Sequence, residues 1–309
     1  MGGFDNLSGR RTLVTGAAGF IGTAVCRALR RAGAEVHGVS RQPRSGEGIS
    51  WWQADLADGD AVTEVFEVVR PELVFHLASH VMGTRSVDVV PQTFRDNLSS
   101  TVNLMTAASR ADNPRVVMAG SMEEDHNGDA NGIPGSPYAA AKMAATTYAR
   151  MFHALFGLPV VNLRIFMVYG PGQGDTTKLI PYVTTALLRG EHPRLTAGAR
   201  KIDWVYVDDV VSAFISAAGC SVADGEPVDI GSGRPASVRT VVEQVTKLVG
   251  GSARPEFGVV TERPLEHQRI ADVTRSHKVL GWRPTTPLNE GLAQTVEWYR
   301  ARANASAAF

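Results

Sequence analysis

At 309 residues the chain is longer than a usual single domain and admits one large domain or two smaller ones, which excludes a small disulfide-stapled module. With 44% hydrophobic and 20% charged residues it can bury a sizeable core, so disorder is not the default. Thirty-one basic residues balance thirty-one acidic ones without a basic block, so the expected partner is a small molecule, not nucleic acid or a membrane surface. Only Cys26 and Cys220 occur, each inside a predicted helix, and they suggest no disulfide framework and no zinc or other metal site. A reducing compartment fits. The opening Met1–Asp5 has no cationic start followed by an apolar run, and no uncharged apolar stretch reaches about 18 residues, so a cytoplasmic protein is expected.

In chain order, short apolar runs alternate with segments of helical period. Strands are predicted at Thr12–Thr15, Glu35–Val39, Ser50–Ala54, Leu73–Ala78, Arg115–Ala119 and Val160–Ile165. Helices are predicted between them at Phe20–Ala32, Asp60–Arg70, Pro91–Arg110 and Pro137–Phe156. Each helix is long enough for a right-handed crossover, so six parallel strands follow. After Phe166 the alternation breaks into a glycine-rich loop at Gly170–Gly174, a helix at Ile180–Arg189 and a strand at Ile202–Val207. Val228–Ile230, followed by Gly231-Ser232-Gly233, is predicted to rejoin the main sheet, while Val238–Val249 and Leu288–Ala301 read as helices. The expected architecture is a doubly wound parallel sheet over residues 1–167, with a return of residues 202–235. A smaller, discontinuous C-terminal domain is expected from 168–201 and 236–309.

Between the first strand and first helix, Gly16, Gly19 and Gly22 fall at G-x-x-G-x-x-G, with Phe20 and Ile21 inside the motif. Small residues there let the backbone approach a pyrophosphate, and the helix behind them offers N–H groups and its dipole. An ordinary glycine turn has the same spacing, but its place at the head of an alternating βα chain points to a dinucleotide. About twenty residues on, where an acidic residue would hold the adenosine ribose, the chain reads Ser40-Arg41-Gln42-Pro43-Arg44. A small residue followed by arginine leaves room for a 2′-phosphate and offers a planar donor, so NADP(H) is expected over NAD(H). The alternative is that Arg41 and Arg44 are solvated loop arginines. Asp55 and Leu56 stand where an adenine amine would be met.

Ser136-Pro137-Tyr138 opens a helix in which Tyr138 and Lys142, four apart, share one face. A phenol with pKa near 10 needs an adjacent cation to work at neutral pH. A shift of three units asks for roughly 4 kcal/mol. The fifth strand ends at Gly120-Ser121-Met122-Glu123-Glu124. Ligands of parallel sheets bind beyond the carboxyl ends of strands, so Ser121 is placed to hold a reacting oxygen beside Tyr138, or else to cap the following turn. Glu123 is either a proton acceptor or sugar-hydroxyl partner in the cleft, or a solvated loop acid.

Further stretches share an order with these motifs: Phe75–Ala78, Asn97 and Thr101–Leu104, Tyr169–Gln173, Asp203–Asp209, Arg263-Pro264 and Leu280–Trp282. Together they resemble the extended short-chain dehydrogenase/reductase superfamily, in the branch of nucleotide-sugar epimerases, 4,6-dehydratases and 4-ketoreductases. The likeness covers nearly the whole chain. It implies a Rossmann-type first domain, a catalytic set of Ser121, Tyr138, Lys142 and Glu123, and a cofactor cradle that also includes Ala78 and Asn97. It further implies a nucleoside-diphosphate sugar held by Arg263, Arg200, Lys178 and Met167. Met167 stands where asparagine is frequent, and Ile202 replaces the usual arginine before Asp203, with Arg200 or Lys201 available to compensate. A homodimer packed through Asn97–Arg110 and Pro137–Phe156 is also implied. Met122 replaces the proton donor of the dehydratases, and Gly120–Glu124 is similar to reductases of GDP-4-keto-6-deoxymannose. The expected activity is therefore NADPH-dependent 4-ketoreduction of a nucleoside-diphosphate 4-keto-6-deoxyhexose, a step of deoxysugar biosynthesis. A nucleotide-sugar epimerase with tightly held NAD(P) is the alternative and a 4,6-dehydratase the third.

Overall fold

The computed structural model of the chain describes residues 7–82, 84–124, 132–261 and 268–307. Two units can be distinguished: Met1–Ile165 with Val211–Ile230 and Thr274–Arg283, and Phe166–Val210 with Gly231–Val273 and Pro284–Phe309.

The first unit opens with β1 (Arg11–Thr15), α1 (Phe20–Arg31), β2 (Glu35–Ser40), β3 (Ser50–Gln53), α2 (Gly59–Val69) and β4 (Leu73–His76). It continues through α3 (Val90–Thr93), α4 (Ser100–Arg110), β5 (Arg115–Ser121), α5 (Pro137–Phe156) and β6 (Val160–Ile165). The second unit begins with β7 (Met167–Tyr169), α6 (Leu179–Leu188), β8 (Arg194–Leu195) and β9 (Lys201–Tyr206). After α7 (Val207–Ala218) and β10 (Pro227–Ile230) come β11 (Pro235–Ser237), α8 (Val238–Val249), β12 (Glu256–Phe257), α9 (Val273–Leu280) and α10 (Leu288–Ala307).

Seven strands pair in the order β10-β6-β5-β4-β1-β2-β3, every neighbour parallel. Helices cover both faces of such a sheet, which is why its strands read as unbroken apolar runs; Leu73, Val74 and Phe75 have no exposed surface. One face packs Leu13, Val74, Val116 and Met118 against Val62, Phe66, Leu104, Ala145 and Ala149 from α2, α4 and α5. On the other, Phe75 meets Phe214 edge to face at 6.1 Å, worth about 0.5–1.5 kcal/mol beyond burial. Strand order runs outward in both directions from β1 and β4, so their carboxyl ends flank a crevice. Both the six expected strands and the return of Val228–Ile230 beside β6 are present.

Three expectations need correction. The predicted Pro91–Arg110 helix is interrupted by a π-helical stretch at Phe94–Ser99. Ser100 and Thr101 donate to the carbonyls of Asp96 and Asn97 at 2.7 and 2.6 Å, while the Asn97 amide is drawn to the loop after β4. Side chains that bond to backbone in this way favour a widened turn. The return to the main sheet spans Val211–Ile230, not 202–235, because β9 pairs with β7 and β11 in a separate three-stranded sheet of the second unit. Cys220 lies just beyond α7, donating to the Val279 carbonyl at 3.0 Å; Cys26 is buried in α1, where loss of solvation pushes its thiol up to about 12.

Two carboxylates organise the second unit. Asp203, with no exposed surface, accepts the amides of Ser232, Gly233 and Ala271 and the Ser232 hydroxyl at 2.6–3.0 Å. Asp209 accepts the amides of Thr285 and Thr286 and the Thr285 hydroxyl at 2.8–3.0 Å. Each satisfies loop N–H groups that would otherwise be buried unpaired.

Candidate functional site

The glycine motif is a shaped cradle. Gly16 has φ +67°, and a Cβ there would lie 2.7 Å from the Ala78 nitrogen and the Leu77 carbonyl carbon, so only glycine lets β1 turn beneath the loop after β4. A Cβ on Gly22 would sit 2.0 Å from the Gly16 oxygen, so the third glycine allows α1 to pack against the turn. Gly19 is the N-cap of α1 and has no side-chain cap, leaving the first-turn N–H groups to a ligand. Phe20 and Ile21 are half-buried in that first turn and do not line the cleft in front of it.

That cleft, about 200 Å³, is lined by Gly16, Ala18, Gly19, Ser40, Arg41, Asp55, Leu56, Ala78, Ser79, His80, Asp96 and Ser100, among others. At its far end Arg41 is paired with Asp96 at 3.3 Å, and Arg95 bridges Asp96 (2.8 Å) and Asp55. Burial alone would raise the Asp55 pKa. The Ala57 amide, the Arg95 guanidinium and Arg41 outweigh it and hold this carboxyl below the usual range. Arg44 is turned elsewhere: it is exposed and sits over the Trp51 ring at 5.8 Å, outside the cleft. The expectation that Arg41 and Arg44 together face a 2′-phosphate is therefore not met. Arg41 is already paired, and Arg44 stacks on a ring supplied by β3.

At the reacting end, Ser121 is the last residue of β5 and Tyr138 the second of α5. Ser136 caps α5 by accepting the Ala139 amide at 3.1 Å, with Pro137 in the first turn, and this fixes where Tyr138 emerges. The Tyr138 hydroxyl faces Ser121 and Ser79. Burial raises its pKa strongly, the Ser121 contact opposes that, Glu124 and Glu123 add to it, and Ser79 again lowers it. Left to itself Tyr138 is a neutral phenol, so the cation beside it matters. Lys142 lies 5.9 Å from the Tyr138 ring centroid and donates to the Ala119 carbonyl at 2.7 Å. Burial lowers the Lys142 pKa and Glu124 opposes this.

The two adjacent acids differ sharply. Glu123 is exposed and accepts from Ser136 at 3.2 Å; its amide donates to the Ser121 hydroxyl at 3.2 Å. Glu124 is buried, accepting the Ser121 amide at 2.5 Å, Thr146 at 2.7 Å and Asn162 at 2.9 Å. Burial raises its pKa, and these bonds and Lys142 pull it back. Asn97, expected in the cofactor cradle, holds the cleft wall: its amide accepts Ser79 at 3.0 Å and the His80 N–H at 2.6 Å, and donates to the His80 carbonyl at 3.0 Å. Behind it, His76 accepts from Thr15 at 2.8 Å and donates through Nε2 to Thr101 at 2.9 Å, because the Thr101 hydroxyl proton goes to Asn97. His76 is thus neutral, pushed down to about 3 by burial and then by Lys142.

Sequence reasoning missed Ser79, His80, Arg95 and Asp96. Only their positions after β4 and in the helix leading to Asn97 signalled them. The expected sugar-binding residues belong to the second unit and lie on separate elements. Met167 opens β7, Lys178 precedes α6 and lies 3.9 Å from Asp175, and Arg200 precedes β9, its carbonyl accepting the Val238 amide. Arg263 lies outside the described residues.

Residues 12–231 match the model of the NAD dependent epimerase/dehydratase family. The chain belongs to that family. It is 33% identical to UDP-glucose 4-epimerase of Mycolicibacterium smegmatis over 94% of this chain and 98% of the relative. It is 31% identical to dTDP-glucose 4,6-dehydratase of Streptomyces niveus over 94% and 93%. Its fold matches MoeE5 in complex with UDP-glucuronic acid and NAD, with TM-score 0.83, 33% identity and coverage of 94% and 99%. A family enzyme of this kind carries a pyridine nucleotide, and this chain's residues fit one. The glycine cradle is closed to any Cβ at Gly16, and the imidazole Nε2 of His80, a residue lining the cleft, is buried without a partner among the described residues. The family bond is to nucleotide-sugar epimerases and dehydratases. No helix among the described residues is long and apolar enough to cross a membrane.

Proposed function

We propose that this protein is a nucleotide-sugar 4-epimerase acting on a uridine diphosphate hexose or hexuronate with retained NAD. One observation carries the reading: Tyr138, with Ser121 at its hydroxyl and Lys142 beside its ring, stands beyond β5 in a chain 33% identical, nearly end to end, to a UDP-glucose 4-epimerase. A pyridine nucleotide held by Gly16, Gly19 and the first turn of α1 would supply a reversible hydride acceptor for the sugar carbon. The chain's own residues manage the proton. Tyr138 as phenolate takes the proton of the C4 hydroxyl while Ser121 holds that oxygen, and Tyr138 gives the proton back after the keto sugar has presented its other face. Lys142 supplies the charge that offsets the burial penalty on the phenolate. Orientation in the cleft supplies much of the acceleration.

Dehydration is disfavoured because Met122, buried at 7% exposure, has no proton for a departing hydroxyl. The second reading is 4-ketoreduction, favoured by the Gly120–Glu124 pattern. Incubation with UDP-glucose and UDP-glucuronate, followed by NMR, tests the first: C4 inversion without net change in cofactor is expected. Stoichiometric NADPH oxidation by a nucleoside-diphosphate 4-keto-6-deoxyhexose, with no inversion, would replace it with the second. The sugar contacts assigned to Lys178, Arg200, Met167 and Arg263, and a homodimer through α4 and α5, belong to the same reading; Tyr148 on α5 is 41% exposed. Light scattering checks the dimer.

A further inference from the structure

The end of β2 carries no carboxylate, yet the fold delivers one there from fifty-five residues away. Asp96, in the π-helical stretch before α4, lines the same cleft as Ser40, Arg41, Asp55 and Ser100, and its side chain is 8% exposed. Its two oxygens are divided between two arginines, Oδ1 accepting from Arg95 at 2.8 Å and Oδ2 from Arg41 at 3.3 Å. Arg95 reaches on to Asp55. The strip Asp55–Arg95–Asp96–Arg41 therefore alternates in sign and has no net charge.

Such a strip suits a ribose diol and not a phosphate. A hydroxyl needs an acceptor, which Asp96 provides with the second lone pairs of its oxygens. A 2′-phosphate would bring nearly two negative charges beside a buried carboxylate, and the two arginines of the strip, Arg41 and Arg95, are already paired with Asp96 and Asp55. We infer that Asp96 sets the cofactor preference of this cleft, accepting a ribose hydroxyl and restraining Arg41, so that the protein selects NAD(H) over NADP(H). The inference rests on the pyridine-nucleotide cleft alone and holds for epimerase and reductase alike.

Binding, not turnover, tests it. After removal of co-purified nucleotide, NADH and NADPH are titrated by fluorescence or calorimetry against wild type, Asp96→Asn and Arg41→Ala, with thermal melts to check folding. NADH is expected to bind wild type at least tenfold more tightly than NADPH. Asp96→Asn should lower that ratio tenfold or more, by weakening NADH and strengthening NADPH, and Arg41→Ala should leave the preference for NADH in place. Tighter NADPH binding by wild type overturns the inference even if Asp96→Asn does not fold. So does an unchanged ratio in a folded Asp96→Asn, and so does a tenfold loss of NADPH affinity in Arg41→Ala, which would make Arg41 the phosphate clamp. C4 inversion is scored separately, so a failed epimerase reading leaves these outcomes untouched.

Discussion

The Glu124 carboxylate accepts the backbone amide of Ser121 at 2.5 Å, so the end of β5 is held in place by the residue three positions beyond it. The same carboxylate ties Thr146 of α5 and Asn162 of β6 to that strand end. Glu124→Ala leaves these donors buried without an acceptor and should cost about 2–4 kcal/mol of stability, together with a tenfold or larger loss of kcat through displacement of Ser121. Glu123→Gln should change the melting temperature little and act on KM more than on kcat. Urea melts and steady-state kinetics on the pair decide it; equal effects on stability would contradict the division of roles.

Tyr138→Phe keeps the ring in α5 and deletes the proton carrier. Cofactor affinity should stay within about threefold while turnover falls by roughly 10²–10⁴. Lys142→Met should damage both, since the ammonium donates to Ala119 and faces the tyrosine. Nucleotide titration and single-turnover measurements separate the two. Near-normal turnover in Tyr138→Phe would assign the proton to another group.

Gly16→Ala places a Cβ 2.7 Å from the loop after β4 at a φ of +67°. The variant should lose about 1–3 kcal/mol of stability and bind nucleotide at least tenfold more weakly. Gly157→Ala is the comparison: its φ is +69° with open space around it, so it should cost stability by strain alone and leave nucleotide affinity intact.

His76 gives the pH prediction. Its folded pKa is pushed down to about 3, so between there and the unfolded value near 6.5 the unfolded chain binds one more proton. Stability present at neutral pH is therefore lost as pH falls below about 6.5, by about 2 kcal/mol between pH 7 and pH 5. Glu124 works in the opposite sense: its raised pKa favours the native state as pH falls through the carboxylate range. Urea titrations of wild type and His76→Gln should show a clearly flatter pH dependence in the variant, and identical slopes would refute the assignment to His76.

Much was legible in the sequence because it is local. Apolar runs of strand length, the glycine spacing before α1, and Ser136-Pro137 opening a helix with Tyr138 and Lys142 on one face are settled by neighbours within a few residues. The family likeness rests on the same short motifs. Pairing partners, by contrast, are a tertiary matter. Nothing in Lys201–Tyr206 says that it joins Met167–Tyr169 and Pro235–Ser237, because an apolar strand satisfies its hydrogen bonds equally well in either sheet. Adjacent Glu123 and Glu124 are chemically alike in the sequence, and only the positions of Asn162 and Thr146 decide which of them is buried. The charge at the ribose end was misread for the same reason. Ser40-Arg41 alone is an open cation beside a small residue, whereas the fold sets Asp96 against it, with Arg95 and Asp55 beside that pair, and leaves the strip without net charge. Electrostatic character is a sum over groups close in space, and the chain brings distant ones together only when it folds.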